Sequence, residues 1–260
     1  MTTDQGAVHY ETFGRGSPVI LLHGWLGSWG LWQETMEALG KSHRTYALDF
    51  WGFGESGKKR TTYAIQDFVR LVDEFMGRLG IDRAPVVGHS MGGTVGLSLA
   101  LQFPQRVSKI AVVGSPIVGS SLAVLLKLAG YRPLAFLAHT FSSVLRLGIR
   151  LASPWITRDR RWYGMISRDL SHTTLESFLL SIASLRRTDL RPVLGDIRVP
   201  VLGIYGAKDV IVHPDQWRPL LANAPHTRVV RLERSGHFPM LDEPERFRPA
   251  LLSFLDEPTA

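Results

Sequence analysis

Apolar residues along this chain form short continuous runs, separated by longer stretches in which they recur every three or four positions. Runs such as residues 19–22 and 110–113 are apolar at successive positions, which is typical of strands covered on both faces of a sheet. The predicted strands are residues 8–13, 19–22, 44–48, 84–87, 107–113, 199–205 and 227–232. The predicted helices are residues 31–39, 63–79, 94–103 and 244–255.

Alternation of strands with helices predicts an α/β fold, a doubly wound and mostly parallel sheet of about eight strands with helices on both faces. The alternation stops after Ser115-Pro116, and residues 117–190 follow a helical, arginine-rich and aromatic pattern. We therefore expect a core formed by residues 1–116 and 191–260, with an inserted helical cap formed by residues 117–190.

The 260 residues suit one catalytic domain with such a cap. Because the chain has no cysteine, disulfides, thiolate metal sites and cysteine nucleophiles are excluded. No apolar stretch is long enough for a spanning helix, and the polar start lacks the pattern of a secretory signal. A cytoplasmic location is the resulting expectation.

The net charge of +7 is concentrated in the predicted cap, which holds ten Lys or Arg residues against four Asp or Glu residues. This uneven distribution and the lack of a recognition motif argue against nucleic-acid binding. Trp155 and Trp162 lie among the arginines, so peripheral association of the cap with an anionic membrane is a further hypothesis. The pattern predicts no oligomeric state.

A nucleophile is indicated by Gly88-His-Ser90-Met-Gly92, which lies between a predicted strand and a predicted helix. The serine must occupy a tight, strained turn, and side chains two positions before and after it would collide. The helix that follows directs its N-terminus at the site and so favours developing negative charge. Ser90 is therefore the predicted nucleophile.

A serine hydroxyl needs a base, and imidazole suits that task. His237 lies in a loop between the last strand and the last helix, whereas His89 is expected to point away from the Ser90 hydroxyl. The acid that orients the imidazole is predicted to be Asp209, which follows a strand and falls between Ser90 and His237 in the chain. For its rivals Asp215 and Asp242, helix capping is the simpler explanation.

Acyl transfer also requires amide donors for the oxyanion. The Met91 amide is one predicted donor, and the Trp25 amide, in the His23-Gly-Trp-Leu-Gly27 loop after a strand, is the other. His23 is expected to hold this loop through its side chain.

These motifs together resemble those of the α/β-hydrolase fold superfamily, in the group that includes carboxylesterases, monoacylglycerol lipases, non-haem perhydrolases and carbon–carbon bond hydrolases. Residues 49–56 resemble the family's structural loop, so Asp49, Gly52, Gly54 and Ser56 are interpreted as architecture. Members with an aspartate nucleophile differ at Ser90. The resemblance implies that the cap covers the nucleophile and selects the substrate.

The predicted function is hydrolysis of a small-molecule carboxylic ester through an acyl-serine intermediate, with no metal and no organic cofactor. An apolar run in the cap suggests an apolar acyl group, although packing of cap against core explains it equally well. Carbon–carbon cleavage or peracid formation on the same triad, and a non-catalytic ligand-binding protein with this fold, stay open as alternatives. The residues predicted to contact substrate are His23, Leu122, Leu126, Phe136 and Phe238.

Overall fold

The computed structural model describes residues 1–3, 6–58, 62–123 and 142–258. The strands of these residues are β1 Thr2–Thr3, β2 Gly6–Ala7, β3 Tyr10–Gly14, β4 Ser17–Leu22, β5 His43–Leu48, β6 Ala84–His89, β7 Val107–Val113, β8 Val201–Gly206 and β9 Thr227–Leu232. Seven of them form a central sheet in the order β3-β5-β4-β6-β7-β8-β9, in which β3 is antiparallel to β5 and all remaining neighbours are parallel. A separate antiparallel pair, β1 and β2, lies at the N-terminus.

Helices flank this sheet, which confirms the predicted α/β class. Each predicted helix is found within a few residues of its expected ends. The helices of the described residues are α1 Gln33–Leu39, α2 Ile65–Arg78, α3 Met91–Gln102, α4 Ser142–Ile156, α5 Trp162–Ser171, α6 Leu175–Arg187, α7 Trp217–Asn223, α8 Pro239–Asp242 and α9 Pro244–Asp256. None of these helices combines the length and apolar content needed to cross a bilayer.

Burial explains the continuous apolar runs. Val19, Ile20 and Leu21 on β4 are fully buried, as are Val86 and Val87 on β6, because helices cover both faces of these central strands. The chain leaves β4 for β5 on one side and later returns to β6 on the other side of β4. In open α/β sheets the crevice at such a switch point, outside the carboxyl ends of the strands, is where ligands bind.

Lys109 is a buried exception on β7. Its Nζ donates to the carbonyls of Phe254 and Leu255, at 2.7 and 2.8 Å, and also to the carbonyl of Glu257. These are the carbonyls at the C-terminal end of α9, which a helix leaves without partners of its own. Burial lowers the pKa of Lys109. The lysine therefore caps α9 and ties it to the sheet.

Helices α4, α5 and α6 follow β7 and precede β8, within the predicted cap. Ser177 Oγ on α6 donates to Gly52 O at 2.9 Å, and Ser28 Oγ donates to Asp169 Oδ1 on α5, also at 2.9 Å. Burial raises the pKa of Asp169 to about 6. These contacts fix the helices to loops at the carboxyl edge of the sheet, whereas the boundaries at residues 117 and 190 stay a prediction.

Candidate active site

Ser90 occupies a strained turn between β6 and α3, with φ of 50° and ψ of −118°. A positive φ is costly for a residue that carries a Cβ, and such strain is typical of functional sites. The Ser90 amide donates to Val113 O on β7 at 2.8 Å, which holds the turn in place. The turn presents the serine at the carboxyl edge of the sheet, directly before the N-terminus of α3.

The glycines around Ser90 are required by close packing of backbone. A Cβ on Gly88 would lie 2.3 Å from Gly92 O, and a Cβ on Gly92 would lie 2.4 Å from Leu22 O. Both distances are far below van der Waals contact, and the atoms approached belong to the backbone. The spacing of glycines in the sequence is therefore explained by the fold of this turn.

His237 and Asp209 form a buried pair, with 2.7 Å between His237 Nδ1 and Asp209 Oδ2. Asp209 Oδ1 accepts from the amides of Ile211 and Val212 at 2.8 and 2.9 Å. The carboxylate is thus fixed on one side by two amides and faces the imidazole on the other. Because a carboxylate only accepts, Nδ1 carries the proton, and the lone pair of Nε2 is left to act as a base.

Gly114 lies close both to the Ser90 turn and to the His237–Asp209 pair. It follows Val113, whose carbonyl accepts from the Ser90 amide. A Cβ on Gly114 would lie 3.4 Å from His237 Nδ1 and 3.6 Å from Asp209 Oδ2. Ser90 and the His237–Asp209 pair, which are distant along the chain, therefore lie at the same edge of the sheet, at the carboxyl ends of β6, β7 and β8.

The two amides predicted to bind the oxyanion, those of Trp25 and Met91, donate to no acceptor within the described residues. The Trp25 side chain is anchored separately, since its Nε1 donates to Phe178 O at 3.1 Å. Leu26, the next residue, has a φ of 60°, a second strained position in this region. A Cβ on Gly24 would lie 3.0 Å from the Ser90 Cβ, so the Trp25 loop runs directly beside the serine.

His23 holds this loop through both ring nitrogens. Phe50 N–H donates to Nε2 at 2.9 Å, so Nδ1 carries the proton and donates to Gly24 O at 2.7 Å. The side chain is fully buried, and burial lowers its pKa. The prediction that His23 contacts substrate is corrected, because neither nitrogen is left for a ligand; its expected role in holding the loop agrees with these contacts.

The profile of a family described as alpha/beta hydrolase fold matches residues 17–244. The chain belongs to the α/β-hydrolase family. This confirms the resemblance that the motifs indicated.

Relatives of this α/β-hydrolase include a pimeloyl-acyl-carrier-protein methyl ester esterase from Vibrio campbellii, 28% identical over 92% of this chain and 95% of the relative. A 2-hydroxy-6-oxo-6-phenylhexa-2,4-dienoate hydrolase from Burkholderia cepacia is 30% identical over 95% of this chain and 91% of the relative. A hydrolase of known structure from Pseudomonas aeruginosa superposes with a TM-score of 0.87 at 26% identity, over 99% of this chain and 97% of that one. These similarities indicate a hydrolase and leave the substrate open.

Asp49 organises the structural loop of this α/β-hydrolase. Its Oδ1 accepts from the Trp29 amide at 2.7 Å, and its Oδ2 accepts from the Glu55 amide at 2.9 Å. Gly54, with a φ of +49°, leaves no room for a side chain, since a Cβ would lie 2.2 Å from Asp49 Oδ2. These contacts agree with the interpretation of residues 49–56 as architecture.

The residues predicted to contact substrate lie in different surroundings. Leu122 is buried and pairs with Val212, whose amide donates to Asp209. Phe238 is also buried, with its ring centroid 5.3 Å from that of Trp162 and 5.1 Å from that of His237. Leu126 and Phe136 lie outside the described residues. A direct contact of Leu122 or Phe238 with substrate stays a prediction.

His89, which is expected to point away from the Ser90 hydroxyl, contacts the loop that carries His237. Its Nε2 donates to His237 O at 2.9 Å, and the two rings lie 4.7 Å apart. Burial, and next the proximity of His237, lower the pKa of His89 well below its ordinary value, so the ring is neutral. The residue therefore supports the loop between β9 and α8 that carries His237, which is the proposed catalytic loop.

Asp242 ties this same loop to the cap. Its Oδ2 accepts from the Gly236 amide at 2.7 Å, while its Oδ1 accepts from Thr157 Oγ1 at 2.6 Å and from the Arg158 amide at 2.7 Å. A helix-capping role was expected, so this bridge was not predicted.

Within the described residues no group of three or more His, Asp or Glu side chains is arranged to hold a metal ion.

Proposed function

We propose that this protein is a serine hydrolase that cleaves carboxylic esters through an acyl-Ser90 intermediate. The observation that carries the proposal is the 2.7 Å contact of His237 Nδ1 with an Asp209 carboxylate that two further amides hold in place. This contact fixes the imidazole in the tautomer that a general base requires. Similarity to an esterase supports the same reaction.

In the acylation step, His237 Nε2 accepts the Ser90 proton while Oγ attacks the ester carbonyl. The tetrahedral oxyanion is stabilised by the amides of Trp25 and Met91, each worth about 3 kcal/mol of barrier. The carbon–oxygen bond to the alcohol then breaks, and the alcohol leaves with the proton from His237. Asp209 stabilises the imidazolium that exists between these two transfers.

In the deacylation step, His237 removes a proton from water, and the resulting hydroxide attacks the acyl carbon. Collapse of the second tetrahedral intermediate breaks the bond to Ser90 Oγ, which takes the proton back from His237. The products are one carboxylic acid and one alcohol. Neither step requires a metal or an organic cofactor.

A panel of p-nitrophenyl esters of increasing acyl length tests this proposal. Wild-type protein is expected to release p-nitrophenol and to be labelled by a fluorophosphonate on Ser90, whereas Ser90→Ala is expected to do neither. A preference for longer acyl chains would support the predicted apolar acyl group. Absence of both labelling and turnover in folded wild-type protein would favour the non-catalytic alternative and overturn the proposal.

Cleavage of a carbon–carbon bond is the second candidate, favoured by the 30% identity to a hydrolase whose name specifies a dienoate substrate. The same triad can activate water for attack on a ketone carbonyl. A ring-cleavage diketone assayed beside the ester panel separates the two reactions. Turnover of the diketone with a much higher kcat/KM than any ester would replace ester hydrolysis with this second function.

A further inference from the structure

Helix α4 carries an exposed apolar stripe. Leu147, Leu151 and Trp155 are 55%, 64% and 71% exposed, which is unusual for large apolar side chains. Residues four apart on a helix are separated by about 40° around its axis, so the three form one continuous stripe. Ile149 and Ile156, on the opposite side, pack against the hydrophobic core.

The charged side chains of α4 are all basic. Helix α4 contains no Asp or Glu. Arg150 is exposed on the edge of the stripe, and its guanidinium lies 5.9 Å from the centre of the Tyr163 ring. Arg158 and Arg160, beyond the C-terminal end of α4, are also exposed. Within the described chain these three arginines form no ion pair, and the nearby Asp159 is already bound by Arg161 at 2.6 Å.

We propose that this face of α4 docks on an anionic lipid surface. An interfacial helix places its apolar side at the boundary of headgroups and acyl chains and its arginines among the phosphates. The exposed stripe and the unpaired arginines supply both parts. A symmetric contact with a second copy of the chain would instead bring the same unpaired arginines together, which like-charge repulsion opposes.

The position of α4 connects this surface to the candidate active site. The carbonyl of Ile156, the last residue of α4, accepts from the His237 amide at 3.2 Å. A docked α4 therefore holds the loop of the catalytic histidine close to the lipid surface, where an amphiphilic substrate is concentrated. Docking itself does not depend on the proposed ester chemistry.

Co-sedimentation with vesicles tests the proposal. Wild-type protein is expected to sediment with vesicles of phosphatidylcholine and phosphatidylglycerol, and much less with phosphatidylcholine alone. The triple variant Leu147→Ser, Leu151→Ser, Trp155→Ser is expected to lower the partition coefficient at least about tenfold. Arg150→Gln is expected to lower it about fivefold, and added salt should have a similar effect.

Matched controls remove exposed groups elsewhere. Leu221→Ser on α7 and Arg198→Gln before β8 should bind vesicles like the wild type, since both residues are exposed outside the cap. Ser90→Ala should also bind normally, which separates docking from catalysis. Circular dichroism and hydrolysis of a short water-soluble ester report whether each α4 variant is folded.

Each remaining outcome decides against the proposal. Failure of wild-type protein to sediment with either kind of vesicle would overturn it. Equal binding to neutral and anionic vesicles, unaffected by Arg150→Gln, would overturn the role of the charge. A dimer in solution that the triple variant abolishes, in protein that does not bind vesicles, would assign the stripe to a second copy of the chain instead.

Discussion

Replacing Asp209 by asparagine tests the proposed triad, because the orientation of the asparagine side-chain amide decides which nitrogen of His237 carries the proton. The amides of Ile211 and Val212, 2.8 and 2.9 Å from Oδ1, would hold the carbonyl oxygen of the asparagine at that position. Its NH2 group then lies where Oδ2 was, 2.7 Å from His237 Nδ1. Because NH2 only donates, Nδ1 must accept, and the ring proton moves to Nε2. The imidazole then cannot take the Ser90 proton.

The size of the expected loss in kcat follows from the same contacts. The opposite orientation of the asparagine would place NH2 against two N–H donors, at a cost of about 2 to 6 kcal/mol for two unsatisfied groups. The unproductive tautomer therefore dominates. For a triad of this kind the wrong tautomer lowers kcat about 10⁴-fold, which corresponds to about 5 kcal/mol of barrier.

Steady-state kinetics with a p-nitrophenyl ester measures the effect, and circular dichroism checks the fold. Asp215→Asn is the matched control, because the Asp215 side chain is 42% exposed and forms a surface ion pair with Arg218. The control is expected to retain wild-type kcat. A folded Asp209→Asn enzyme whose kcat lies within tenfold of the wild-type value would refute this assignment of Asp209.

Further predictions concern stability and the catalytic loop. The folded pKa of Asp169, about 6, lies above its ordinary value of 3.8, so its burial costs stability as pH rises between these values. Asp169→Asn should therefore raise the free energy of unfolding by about 3 kcal/mol at pH 7 and hardly at all at pH 4, as measured by urea denaturation. An equal gain in stability at pH 7 and at pH 4 would contradict this account. Lys109→Met, which leaves carbonyls at the end of α9 unpaired, should cost about 3 kcal/mol and lower Tm by about 5 to 10 °C, whereas the exposed Lys41→Met should not. Asp242→Ala removes the bridge between the end of α4 and the catalytic loop and should lower kcat about tenfold. Asp215→Ala is the control and should leave kcat unchanged. An Asp242→Ala enzyme with wild-type kcat would show that the bridge does not position the loop.

The sequence by itself determined the fold class and the family. The strands at residues 107–113 and 227–232 were both predicted to the residue. Residues 107–113 are almost fully buried and include a continuous apolar run, which is typical of a strand covered on both faces. The glycines around Ser90 were also readable, since a strained turn admits few residue types. The common location of Ser90, Asp209 and His237 was predictable from their positions after strands, because the carboxyl ends of parallel strands lie at one edge of a sheet.

Only the tertiary structure decided which groups surround these residues. His89 supports His237 through a hydrogen bond across 148 positions of the chain, and Asp242 bridges the catalytic loop to α4. His23 uses both of its nitrogens for backbone, which removes it from the residues available to substrate. Contacts of this kind depend on the packing of distant segments. Local patterns of polarity and spacing report only which face of an element is buried, so such patterns could not predict these long-range contacts.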